Sequence, residues 1–273
     1  MKSNILLRTL SGIVYVAVMV GCLVGGRNTY CVLFAVITAL LLNEFNHLLA
    51  EHRLARVNNT VSMVSGVYLF LAFFLYSSDM TSGTVFVPYI LSLVFVLVSG
   101  LYTGQENPIA TWAYSFAGQV FVALPMSLMN VLAFNGFYEC TLPLALFVFL
   151  WLSDTGAFCF GCALGKKIPF KLFPSISPNK TWAGSVGGAV ASMAGATCFY
   201  LLSDGGSLMF WLGFGLTVCV FGTWGDLIES QFKRQLGIKD SGNFMPGHGG
   251  ILDRFDSALL AIPASVVYVS LVM

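Results

Sequence analysis

The sequence predicts an all-α, polytopic integral membrane protein of about nine transmembrane helices, with the N-terminus cytoplasmic and the C-terminus external. Three observations carry that reading. The first is composition: 57% of the 273 residues are hydrophobic and 9% are charged, whereas a soluble domain carries about 25% charged residues. That much apolar surface exceeds what a water-soluble core of this size hides, so a lipid bilayer is the implied solvent. The second is a series of apolar runs near the length needed to cross hydrocarbon, roughly 20 residues each. The third is the placement of Lys and Arg. The net charge of +1 gives no bulk electrostatic basis for binding nucleic acid, so no nucleic-acid partner is expected.

The runs place spans near 9–26, 29–48, 61–77, 84–102, 109–135, 140–163, 183–202, 206–225 and 251–271. Backbone groups in hydrocarbon must pair within their own segment, which makes these runs helices. The first follows Lys2 and Arg8 with no small-residue cleavage site leading into a polar region, so it reads as a retained span. The run GSVGGAVASMAGA (184–196) supplies small residues at helical spacing, as close helix–helix approach requires. Cys159 and Cys162 form a CxxC in apolar surroundings with no second Cys or His pair near them, and read as small buried residues packing between helices.

Orientation follows from the basic residues, which stay on the cytoplasmic side. With the N-terminus inside, the cytoplasmic segments hold Lys2, Arg8, Arg53, Arg56, Lys166, Lys167, Lys171, Lys180, Lys233, Arg234, Lys239 and Arg254. Of the 13 Lys and Arg, Arg27 alone falls outside. Two regions follow. Residues 1–135 are N-terminal transmembrane helices. Residues 136–273 form a C-terminal transmembrane catalytic region with cytoplasmic loops 164–182 and 226–250.

Charges near a membrane are costly and mark function. After residue 150 nearly all of them gather in two segments, 153–184 and 225–257. Asp226, Glu229, Ser230 and Lys233 share one helical face if the helix continues out of the membrane, with Arg234 beside it. Asp253 and Asp256 lie three residues apart at the start of the last span. Carboxylates collected at a membrane edge repel unless a cation sits among them, and oxygen ligands select a hard ion such as Mg²⁺. Gly247, Gly249 and Gly250, in PGHGGIL, lead into a helix N-terminus whose free N–H groups favour a phosphate. The first segment adds Asp154 at a span's end and the loop SPNKTWAG, whose Ser177, Asn179, Lys180 and Thr181 precede another helix and suit an anion in the same way. Acids for a metal, basic residues and a glycine loop are the equipment for phosphoryl or nucleotidyl transfer.

The run from Ser230 to Asp256, S-x-x-K-R-x-x-x-x-K-D-x-G-x-x-x-P-G-H-G-G-x-x-D-R-x-D, resembles the phosphatidate cytidylyltransferase (CDP-diacylglycerol synthase) family, as do SDTGAF (153–158), SPNKTW (177–182) and GDLIES (225–230). The resemblance covers the C-terminal 120 residues; the first half matches only as a set of apolar spans. It implies CTP and phosphatidic acid as substrates, CDP-diacylglycerol and pyrophosphate as products, Mg²⁺ as cofactor with K⁺ as a candidate companion, the lipid bilayer as environment and a homodimer among candidate assemblies. It puts Asp226 and Asp253 at the positions of the metal-binding acids, with Asp256 as a third, and Lys233 among the catalytic groups. It places Asp154, Ser177, Lys180, Thr181, Ser230, Arg234, Lys239, His248, Gly249, Gly250 and Arg254 at the substrates. Ala183 departs from the pattern, standing where Glu or Gln is expected.

Some residues stay open. Lys166, Lys167 and Lys171 read best as head-group anchors. His248 suits phosphate contact or loop structure, since an anionic phosphate nucleophile needs no base. Glu44 and His47, near the end of the second span, are either buried partners or cytoplasm-facing. The rival activities are a CTP-dependent lipid kinase and a cytidylyltransferase for another lipid phosphate. A secondary transporter is the rival of another class, but it would place its site at mid-bilayer between broken helices.

Overall fold

A computed structural model describes residues 2–102, 104, 107–165, 170–203, 205–242 and 249–272, with side chains from Thr9 onward. Lys166, Lys167, Gly247 and His248 lie outside the described residues. Helices dominate, and among the described residues eight helical segments are long and apolar enough to cross a membrane, with a shorter apolar one at Thr9–Val24. The chain divides into two compact units, residues 1–140 with 240–254 and residues 141–239 with 255–273.

The first unit contains α1 (Lys2–Val24), α2 (Arg27–Glu51), α3 (Asn59–Ser77), a 3₁₀ turn (Gly83–Phe86) running into α4 (Val87–Tyr102), α5 (Pro108–Gly118), and α6 (Leu124–Ala133). Its core is built on the α2 stripe Tyr30, Phe34, Ile37, Leu41, Phe45, spaced three or four residues apart and buried throughout. The Tyr30 ring lies tilted against those of Phe34, at 4.9 Å between centroids, and Tyr138, at 5.4 Å; the Tyr138 hydroxyl donates to the Leu23 carbonyl at 2.6 Å. Asn58 starts α3 by accepting from the Val61 amide at 3.1 Å, the capping bond its residue type favours.

A π-helical turn, Gln119–Ala123, joins α5 to α6 one residue ahead of Pro125. Proline has no N–H to continue the helical ladder, and the widened turn absorbs that break. The span expected at 109–135 is therefore continuous but internally shifted.

The second unit contains α7 (Thr141–Leu164), β1 (Lys171–Phe173), β2 (Ser177–Thr181), α8 (Trp182–Leu202), α9 (Leu208–Gln235) and all but the first turn of α10 (Leu252–Val272). The small-residue run behaves as its composition predicts. A Cβ at Gly156 would stand 2.6 Å from both Ala191 Cβ and the Gly187 carbonyl, and one at Gly188 would stand 2.8 Å from the Ser153 carbonyl. Glycine is what lets α7 and α8 touch backbone to backbone. The paired cysteines do not pack this way. Cys159 and Cys162 are free thiols on the exposed face of α7, which corrects their reading as buried residues.

One further feature departs from expectation. Residues 171–181 are an antiparallel hairpin with Lys171 opposite Thr181 and Phe173 opposite Ser177, where a loop was anticipated. Helix α9 continues ten residues beyond its apolar run to Gln235, as a shared helical face from Asp226 to Lys233 requires. It ends in a Schellman motif: the Ile238 amide donates to the Lys233 carbonyl at 3.0 Å and the Gly237 amide to the Arg234 carbonyl at 3.1 Å. Gly237, at φ +71°, supplies the left-handed residue that the motif needs.

Candidate active site

The second unit carries a cavity of about 240 Å³, lined by Asp154, Asn179, Lys180, Thr181, Asp226 and Ser257 among others. Four stretches far apart in sequence, at 154, 179–181, 226 and 257, therefore supply its polar wall. Gly225 explains part of the convergence: a Cβ there would lie 2.6 Å from the Asp256 carbonyl, so the backbones of α9 and α10 meet beside Asp226. Lys180 Nζ stands 2.5 Å from Asp226 Oδ2, with each side chain about a quarter exposed. Asp226 Oδ1 accepts from Ser230 Oγ at 3.1 Å, one helical turn along. Asp256 lies within electrostatic reach of Asp226, Glu229 and Asp154. Its Oδ1 accepts the Ser257 amide at 2.6 Å.

The face expected on α9 exists, but half of it turns inward. Glu229 is fully buried and Lys233 is 9% exposed, and they form an ion pair of 2.5 Å. Arg234 ties the hairpin to the helix end. Its Nε donates to the Ile176 carbonyl at 3.5 Å and its guanidinium to the Ile238 carbonyl at 3.1 Å. Thr181 caps α8 through a 3.1 Å bond from the Gly184 amide, and Ser177 sits at the hairpin's far end. Lys239 is exposed. Ala183 is buried in the first turn of α8, so the departure from the motif is a side chain without hydrogen-bonding capacity in a closed position.

Asp253, Gly249, Gly250 and Arg254 belong to the first unit. Arg254 is exposed. Asp253 Oδ2 accepts the amides of Gly250 at 2.9 Å and Ser241 at 3.0 Å. Glu44 on α2 accepts the Ile251 amide at 2.8 Å, the Leu252 amide at 3.0 Å and the hydroxyl of Ser241. The expectation of free N–H groups at the start of α10 is thereby corrected. The amides of Gly250, Ile251 and Leu252 are occupied by two of the protein's own carboxylates, which satisfy the helix end as an external anion would. Gly250 is small for the same reason. A Cβ there would collide with Glu44 Oε1 and Ser241 Oγ, so the close neighbour is Glu44 and not a ligand. Gly249 has φ +86°, and a Cβ would lie 2.5 Å from Asp253 Oδ2.

The donor chemistry suits a hard cation. Asp226 and Asp256 offer carboxylate oxygens in mutual electrostatic contact, and Mg²⁺ is typically held by one or two carboxylates with substrate phosphates completing its shell. Among the described residues, no three His, Cys, Asp or Glu side chains form a self-sufficient metal cluster.

Comparison with known proteins decides the kinship. The cytidylyltransferase family model matches residues 6–272. The chain belongs to that family. Its relatives include a phosphatidate cytidylyltransferase of Staphylococcus haemolyticus (strain JCSC1435), 34% identical over 270 residues, covering 94% of this chain and 95% of that protein. One of Staphylococcus aureus (strain COL) is 32% identical over 262 residues with the same coverage of each. A third, of Staphylococcus epidermidis (strain ATCC 35984 / DSM 28319 / BCRC 17069 / CCUG 31568 / BM 3577 / RP62A), is 43% identical over 157 residues, 55% of this chain and 58% of that protein. The family match extends through the N-terminal spans, where the motifs alone gave no kinship. Like those relatives, this chain is an enzyme, and its helices make it an integral membrane protein.

Proposed function

We propose that this chain transfers the cytidylyl group of CTP to phosphatidate, giving CDP-diacylglycerol and pyrophosphate. The observation that carries the reading is the Lys180–Asp226 pair in the wall of a cavity set among apolar spanning helices, with Asp256 within electrostatic reach of Asp226. A phosphate-bearing lipid and a nucleotide are the two reactants that such a boundary serves.

In the reaction an oxygen of the lipid phosphate bonds to the α-phosphorus of CTP while the bond from that phosphorus to the β-phosphate oxygen breaks. Pyrophosphate leaves. The nucleophile is already an anion, so no residue need remove a proton from it. Asp226 and Asp256 would hold Mg²⁺, which when bound neutralises phosphate charge. Lys180, paired with Asp226 in the free enzyme, is placed to turn its ammonium to a phosphate oxygen as a compact point charge. Ser230 orients Asp226 by donating to its Oδ1. Thr181 and Arg234 hold the hairpin that carries Lys180.

The lipid would reach the cavity sideways from the bilayer, head group at the water boundary and tails in hydrocarbon. We place the cavity on the cytoplasmic side of a bacterial inner membrane, because all Lys and Arg except Arg27 fall there with the N-terminus inside. A metal role for Asp253 is retained from the motif; its Oδ2 already accepts two amides.

Purified protein given CTP, phosphatidate and Mg²⁺ is expected to yield CDP-diacylglycerol with equimolar pyrophosphate, and EDTA to stop the reaction. Release of CDP with a phosphorylated lipid would replace this reading with a lipid kinase.

A further inference from the structure

Glu44 belongs to none of the family's motif segments, yet it makes the most convergent set of hydrogen bonds described in the first unit. It lies on α2, some two hundred positions from its partners. One carboxylate takes the amides of Ile251 and Leu252 and the hydroxyl of Ser241. The surrounding backbone is shaped to admit it. A Cβ at Gly242 would lie 3.0 Å from Glu44 Oε2, and one at Gly250 would overlap Oε1. Ser241 is shared, because its side chain serves Glu44 while its amide donates to Asp253 Oδ2. Two carboxylates thus interlock on one turn.

We infer that Glu44 is a positioning residue, a membrane-helix carboxylate that fixes the start of α10 and so sets where Asp253 stands. The inference rests on the proposed cytidylyl transfer for its effect on rate, but not for the existence of the clasp. An ionised carboxylate accepts all three donors at once. A carboxamide at the same place would present an NH₂ to at least one of them and leave two donors facing each other. The amides it holds are also those that an anion at a helix N-terminus would use, so Glu44 keeps phosphate away from this helix end.

The test compares Glu44→Gln with the wild-type chain in detergent and in phosphatidate-containing vesicles. Expected are a fall in kcat of about 10- to 100-fold, the range for an outer-shell partner or a small misplacement. KM for CTP should stay within about twofold, as for an interaction that acts only on the chemical step. Thermal midpoint should fall by no more than about a few degrees, the variant staying folded at the assay temperature, and hydrogen exchange at the amides of residues 250–252 should be faster. Ser241→Ala should give a smaller loss that is not additive with Glu44→Gln, because both remove the same contact. Glu44→Asp should recover part of the rate.

The inference is overturned by unchanged kcat, by losses that track the folded fraction, or by a raised KM with intact kcat, which would mean direct contact with CTP. If Glu44→Gln does not fold, Ser241→Ala, which removes only one bond, is read against the same criteria. A wild-type chain that makes no CDP-diacylglycerol would sink the functional reading instead, and the exchange measurement would still decide whether the clasp exists.

Discussion

Replacing Lys233 separates two roles that its motif position leaves merged. Its ammonium stands 2.5 Å from Glu229, which is fully buried. Glu229 in turn lies within electrostatic reach of Asp256. Lys233→Met removes the cation and leaves that carboxylate in a place closed to water, near another acid. Breaking a buried ion pair by deleting one partner costs about 3–5 kcal/mol, while replacing both partners with apolar residues of similar volume is often neutral. At about 2–4 °C per kcal/mol for a chain somewhat smaller than this one, the single variant should lose on the order of 10 °C in thermal midpoint. Glu229→Leu with Lys233→Met should regain most of that loss. The assay is thermal unfolding in detergent followed by intrinsic tryptophan fluorescence, with CDP-diacylglycerol formation measured on the same samples. A double variant that is stable yet has lost CTP turnover would assign Lys233 to the nucleotide as well as to the fold. A midpoint for Lys233→Met within a degree or two of wild type would refute the reasoning, as would a double variant no more stable than the single.

Other outcomes follow from the same geometry. Gly156→Val should destabilise by about 1–3 kcal/mol through overpacking against Ala191 and Gly187, whereas Gly161→Ala, whose Cβ would meet nothing nearer than 3.8 Å, should unfold within about 0.5 kcal/mol of wild type. Lys180→Met should leave the thermal midpoint nearly unchanged, because a pair this exposed contributes about 0–1 kcal/mol, while slowing cytidylyl transfer by about tenfold or more. Gly250→Ala should reproduce the loss of turnover of Glu44→Gln, since the added methyl occupies the place of the Glu44 carboxylate.

The spans were legible because hydrocarbon length and backbone pairing leave few alternatives, and a close approach of α8 to a neighbour was legible because GSVGGAVASMAGA has almost no side chain to keep two backbones apart, although the partner, α7, was not. That Asp226 and Ser230 share one helical face followed from spacing alone; their hydrogen bond did not. The hairpin at 171–181 did not, because its strands are short, one contains Pro178, and neither alternates apolar with polar residues. Glu44 carried no local signal. Its partners are a hydroxyl and two backbone amides from the far end of the chain, and backbone amides leave no mark in a sequence. The same blindness produced the expectation of a free helix end at Ile251 and Leu252. Whether a helix N-terminus awaits a phosphate or is already capped depends on a residue that motif reading does not reach. Cys159 and Cys162 were misplaced because an apolar neighbourhood does not distinguish a face turned to a helix from one turned to lipid.

The central claim is that Asp226 and Asp256 together hold the divalent ion that accompanies CTP. Binding of Mn²⁺, as a spectroscopic substitute for Mg²⁺, measured by electron paramagnetic resonance with CTP present, tests it directly. Wild type should take up the ion, and folded Asp226→Asn and Asp256→Asn should each bind it at least about tenfold more weakly. Wild-type affinity in both variants would contradict the account.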